Sequence, residues 1–142
     1  MHTPESILEA IRSHGADAYP EEGCGFLLGS IENGQNHVRR IRRVANRQPE
    51  NRERRYQITP DDYRKAEEHT QAHDLDIVGF YHSHPDHPAR PSQTDLAEAT
   101  FPGYTYVIVS VKDGAPEKLT AWSLAPDRSQ FNREDITLTT TV

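Results

Sequence analysis

A mixed α/β fold of the α+β type, a β-sheet flanked by helices, is predicted for these 142 residues by three observations. Two segments open with a helix-capping threonine followed by proline. Several short runs rich in β-branched and aromatic residues are bounded by turn-forming residues. The two kinds of segment are interleaved along the chain, which favours a layered sheet over separate all-α and all-β parts. The length suits one domain over residues 1–142, and no repeat or linker divides it.

The first helix is predicted from Thr3 as N-cap and Pro4 as first helical residue, with Ile7, Leu8 and Ile11 on one face until Gly15. A turn from Pro20 to Gly23 feeds the apolar run Cys24 to Leu28, short enough to be a buried strand closed by Gly29. Glu22 then stands at the entrance of that strand. The segment ENGQN reads as a hairpin turn, Val38 to Val44 alternates apolar and basic residues, and RQPENRER reads as an exposed loop.

Thr59, Pro60, Asp61 and Asp62 repeat the cap, proline and acidic first turn of a helix that continues to His73. Ile77 to His82 is a buried strand that runs out into a proline-stiffened loop, HSHPDHPARP. Ser92 and Asp95 are spaced as a capping box before a short helix over Leu96 to Ala99. Tyr104 to Val111, Leu119 to Leu124 and Ile136 to Thr140 complete the strands, separated by KDGAPEK and APDRSQ.

Composition narrows the function. Hydrophobic residues make up 34% and charged residues 27%, which fits a folded chain and not a disordered one. No apolar run of about 18 residues and no basic-then-apolar N-terminus occurs, so a cytoplasmic protein with no membrane partner is expected. The single cysteine, Cys24, forms no internal disulfide, in keeping with a reducing compartment. A net charge of −6 argues against a general nucleic-acid binder. Eight arginines nevertheless cluster at Arg39, Arg40, Arg42, Arg43, Arg47, Arg52, Arg54 and Arg55. They read as a solvated strand face plus a loop, or as a surface that docks an acidic substrate.

The chemistry concentrates around two histidines. Side chains alternate along a strand, so His82 and His84 point to the same side and can converge on one ion. A stiff loop leading into a helix can return Asp95 beside them, and two nitrogens with one carboxylate oxygen suit zinc. Three protein ligands leave a fourth position for water, as catalytic zinc sites do. Such a site also needs a carboxylate near the metal but not on it, and Glu22 is the candidate.

Three segments in order, E-x-C-G-F-L-L-G at Glu22 to Gly29, H-S-H-P at His82 to Pro85 and P-S-x-x-D at Pro91 to Asp95, resemble the JAMM (MPN+, Mov34/PAD-1-like) zinc metallopeptidase signature. The resemblance covers nearly the whole chain and is closest to the small, single-domain prokaryotic branch. It implies a cytidine-deaminase-like mixed sheet flanked by helices, and one Zn2+ on His82, His84 and Asp95 with water as fourth ligand. It further implies Glu22 as general base and Ser92 as stabiliser of the tetrahedral intermediate. The implied reaction is hydrolysis of a peptide or isopeptide bond after the C-terminal tail of a ubiquitin-like or sulfur-carrier protein.

Other readings stand beside these. Cys24 or His87 could close the site as a structural zinc, and a complete fold of this kind could serve as a non-catalytic scaffold or binding module. Cys24 also fits a small buried strand residue, His87 an exposed loop residue, and Glu21 a solvated neighbour of Glu22. Ser92 has a purely structural role available as the N-cap of the helix carrying Asp95.

Overall fold

The computed structural model describes residues 1–140. In chain order the elements are β1 (His2–Pro4), α1 (Glu5–Ala18), β2 (Cys24–Glu32), β3 (Gln35–Val44), α2 (Pro60–Ala72), β4 (Asp76–Pro85), α3 (Gln93–Glu98), β5 (Thr105–Lys112), β6 (Ala115–Leu124), β7 (Phe131–Glu134) and β8 (Thr137–Thr139). The described strands form one mixed sheet in the order β7-β6-β5-β4-β2-β3-β1-β8. A sheet flanked by helices is therefore the observed architecture, as the sequence predicts.

β4 lies near the middle of that sheet. On one side it pairs antiparallel with β2, which sets Cys24 opposite His82 and Phe26 opposite Phe80. On the other it pairs parallel with β5, which sets His82 level with Ile108 and His84 level with Ser110. Each face of the sheet carries its own core. Leu8 and Ile11 of α1 pack with Leu27, Val38, Val78, Tyr81, Val107 and Val109 on one side. Ala66 and Tyr63 of α2 and Leu96 of α3 pack with Phe26, Leu28, Ile77, Phe80 and Tyr106 on the other. A shift in the β2–β4 register at Leu27/Leu28 breaks the strict alternation of β4, so Val78 and Phe80 face opposite cores.

The ends of several elements differ from expectation. Thr3 does not cap α1: it lies in β1, paired in parallel with Leu138 of β8, and Pro4 occupies the cap position without a side-chain bond. The pairing claims the extended backbone at Thr3 that a cap would have used. α1 also runs through Gly15 to Ala18. A Cβ at Gly15 would lie 3.1 Å from Val111 Cγ2 and 3.2 Å from Ser83 Cβ, so this glycine permits close helix–sheet contact and does not stop the helix.

β2 continues past Gly29 to Glu32, and β4 continues past His82 to Pro85. Proline is tolerated there because the paired register with β2 ends at His82, while pairing with β5 reaches Pro85 opposite Val111. α3 begins at Gln93, three residues earlier than Leu96. β6 begins at Ala115, inside the segment read as a connection. The last expected strand is β8, only Thr137–Thr139, and β7 over Phe131–Glu134 was not anticipated.

Candidate metal centre and cleft

Three parts of the chain meet at the centre. The odd–even geometry of β4 places His82 and His84 on the side of the sheet that carries α3, and the capping box of α3 brings Asp95 to them. His84 Nε2 lies 3.0 Å from Asp95 Oδ2 and His82 Nε2 lies 3.2 Å from the same oxygen. The two Nε2 atoms are themselves 3.0 Å apart.

Zinc bound tetrahedrally at about 2.0–2.1 Å holds its ligand atoms roughly 3.3 Å from one another, close to the spacing found here. The tautomer also fits, because His84 Nδ1 lies 2.8 Å from the carbonyl oxygen of Pro88, which leaves the Nε2 lone pair free for a metal. His82, His84 and Asp95 form a group that could hold a metal ion, one ligand atom each. The His-His-Asp set suits zinc.

Neither proposed fourth protein ligand joins the group. Cys24 is fully buried beside His82 in the β2–β4 register, and its thiol is directed to the carbonyl of Val44 at 3.8 Å. Burial pushes that thiol up to about 12, the behaviour of an inert core cysteine. His87 is exposed on the loop after β4.

Glu22 sits just before β2, where Gly23 and Ser83 extend the β2–β4 pairing by a further step. Its side chain is 4% exposed, and Oε1 is buried with no hydrogen-bond partner among the described residues. Burial pushes its carboxyl up to about 7, with His82 and His84 pulling the other way. Burial would raise the Asp95 carboxyl too, but His82, His84 and the Ser92 backbone hold it far below the usual range. The two carboxyls of the site thus differ in character: the imidazoles favour the anionic form of Asp95, while burial favours the protonated form of Glu22.

Ser92 caps α3: its Oγ accepts from the Asp95 N–H at 3.0 Å, and Asp95 Oδ2 accepts from the Ser92 N–H at 2.9 Å. Because Oγ is the acceptor in that bond, its own hydrogen remains available to another group. Glu22, His84 and Ser92 line one open cleft of about 410 Å3, together with Arg54, Arg90 and Thr94.

Three residues near the site have contacts that the sequence pattern does not signal. Tyr56 stacks on His82 with ring centroids 4.6 Å apart, fixing the imidazole plane. Ser83, between the two histidines, faces the opposite side and bonds Gly23. Asn46 ties the long loop after β3 to Glu22, donating to its carbonyl at 3.1 Å and to that of Arg55 at 2.9 Å. A histidine next to a serine on a strand signals alternation, but partners supplied by distant loops are not encoded in local spacing.

Residues 4–125 match Prok-JAB, described as prokaryotic homologs of the JAB domain. The chain is 37% identical over 106 residues to the desampylase of Haloferax volcanii, covering 75% of this chain and 74% of that protein. It is 28% identical over 118 residues to the CysO-cysteine peptidase of Mycobacterium tuberculosis, covering 83% and 78%. A solution structure of a protein from Salinibacter ruber is 66% identical and superposes with a TM-score of 0.80, over 98% of this chain and 92% of that one. The converging histidines and aspartate, the buried glutamate and these likenesses agree, and the chain belongs to the Prok-JAB family as an enzyme of the JAMM metallopeptidase type.

Proposed function

We propose that this protein is a zinc-dependent peptidase or isopeptidase that hydrolyses the amide bond after the C-terminal tail of a ubiquitin-like or sulfur-carrier protein. The observation that carries the reading is the placement of the buried Glu22 carboxyl, its Oε1 without a hydrogen-bond partner among the described residues, in the same cleft as His84 and Ser92, beside a His-His-Asp group. A relative named as a CysO-cysteine peptidase supports a protein tail as substrate. The free thiol of Cys24 supports a reducing, cytoplasmic setting.

One Zn2+ on His82, His84 and Asp95, with its fourth position left to water, would polarise the scissile carbonyl and make water nucleophilic at neutral pH. Glu22 takes a proton from the attacking water and passes it to the leaving amine; the C–N bond breaks as the water oxygen joins the carbonyl carbon. The Ser92 hydroxyl donates to the developing oxyanion while its oxygen continues to cap α3. Asp95, held anionic, takes no part in proton transfer.

The test offers the zinc-loaded protein a panel of ubiquitin-like proteins extended beyond a Gly-Gly end and follows cleavage by intact mass. Cleavage is expected, and Glu22→Gln is expected to keep its zinc while losing at least about 100-fold in turnover. Full turnover in Glu22→Gln removes the base assignment, and zinc binding without any cleavage favours a structural metal.

A further inference from the structure

The loop between β3 and α2 holds four arginines, Arg47, Arg52, Arg54 and Arg55. Three of them fasten the loop to its surroundings: Arg47 pairs with Asp62 of α2, Arg52 with Glu21, and Arg55 with Glu98 of α3. Arg54 is the exception. It has no carboxylate partner among the described residues and lines the cleft that holds Glu22, His84 and Ser92. Arg90, from the separate loop between β4 and α3, lines the same cleft and is likewise exposed without a carboxylate partner among the described residues. In a chain of net charge −6, two guanidiniums without carboxylate partners among the described residues line the cleft of Glu22, His84 and Ser92.

We infer that Arg54 and Arg90 bind the free α-carboxylate of the leaving group, so that the preferred bond joins a protein tail to the α-amine of a single amino acid. The inference rests on the peptidase reading above and specifies its leaving group. In such a substrate the carboxyl carbon lies only about 2.5 Å from the scissile nitrogen, two covalent bonds away. An anion is therefore held beside the metal group whenever the bond is in place for attack. A tail joined to a lysine side chain presents methylenes at that position and offers the guanidiniums nothing. Arginine suits the task because its planar fork pairs with both carboxylate oxygens and stays charged at every working pH. Hydrolysis adds one water, giving the tail carboxylate and a free amino acid whose amine takes the proton carried by Glu22.

The experiment uses the same panel of Gly-Gly-ended proteins in three forms: extended by one alanine with a free carboxylate, extended by alanine amide, and joined to the side chain of Nα-acetyl-lysine amide. The zinc-loaded protein is expected to cleave the free acid with a kcat/KM at least about 10-fold above the amide. Arg54→Gln and Arg90→Gln are each expected to lower the acid value by about 10-fold and to leave the amide within about 2-fold, with zinc content unchanged. Equal cleavage of acid and amide by the unmodified protein, or equal slowing of both in the variants, overturns the inference. Cleavage of the amide and lysine-linked forms alone also overturns it while leaving the peptidase reading intact, whereas cleavage of none of the three removes that reading too.

Discussion

Gly23 and Ser83 exchange two hydrogen bonds: the Gly23 N–H donates to Ser83 Oγ at 2.8 Å, and the Ser83 N–H donates to the Gly23 carbonyl at 2.9 Å. The serine between the two histidines thus clasps the residue that follows Glu22. Ser83→Ala leaves the Gly23 N–H buried without its acceptor, at a cost of about 1–3 kcal/mol. The expected outcome is a melting temperature several degrees lower and a reduced kcat with zinc content retained, checked by thermal denaturation, turnover and metal analysis. An unchanged kcat would show that the clasp does not position Glu22.

Asn46 acts on the same glutamate from the other side. Its amide nitrogen reaches the Glu22 and Arg55 carbonyls, and its oxygen accepts from the Gln48 and Gln57 N–H groups. Asn46→Ala releases the loop, and the resulting misplacement of Glu22 is expected to reduce kcat by about 10- to 100-fold. KM against kcat separates this from a loss of binding: a change in KM alone would place Asn46 in substrate docking.

The capping of α3 by Ser92 and the oxyanion role proposed for it can be separated by one variant. Ser92→Ala removes a cap worth about 1 kcal/mol and an oxyanion donor worth on the order of 100-fold in turnover. Both losses are expected, with metal occupancy little changed. A lower melting temperature with undiminished turnover would confine Ser92 to capping.

Gly15 lets α1 lie close against the sheet. Gly15→Val puts a branched side chain within contact of Val109, Val111 and Ser83, and overpacking of this kind costs about 1–3 kcal/mol. Chemical denaturation is expected to show the midpoint shifted down with its slope unchanged. No shift would mean that α1 moves away from the sheet without penalty.

His14, also on α1, lies with Nδ1 2.7 Å from the Tyr81 hydroxyl. Burial, reinforced by the charge of Arg43, brings it down from 6.5 to about 4, with Asp17 opposing. The unfolded chain therefore binds a proton at His14 before the folded one does. Its contribution to stability is complete above pH 6.5 and is lost as the pH falls towards 4. Comparing the stability of His14→Gln with that of the unmodified protein between those values isolates the effect: the difference is expected to vary with pH over that window and to be flat above it.

What could be read in advance follows from how local each signal is. The caps at Thr59 and Ser92 each bond a residue three positions on, so a few neighbouring letters specify them. His82 and His84 converge because alternation is a property of any extended strand. The misplaced ends have non-local causes. Thr3 is claimed by β8 from the far end of the chain, Gly15 is fitted to Val111 and Ser83, and β4 persists to Pro85 because β5 supports it. β7 and β8 are too short to show a period at all. Tyr56 and Asn46 sit in a loop whose course is set by Arg47, Arg52 and Arg55, and no spacing rule connects them to His82 or Glu22.

Asp95 Oδ2 accepts from the Ser92 N–H and also lies against both imidazoles, so a single oxygen belongs at once to the helix start and to the metal group. α3 has six residues, far fewer than a helix needs to persist unaided. With a cation on this group, order in α3 and occupancy of the centre would be one linked equilibrium, in which whatever steadies the helix would raise affinity for the cation and whatever chelates the cation would slacken the wall of the cleft. A surface substitution on α3 that never touches the centre would in this way tune how much of the protein carries zinc when the ion is scarce.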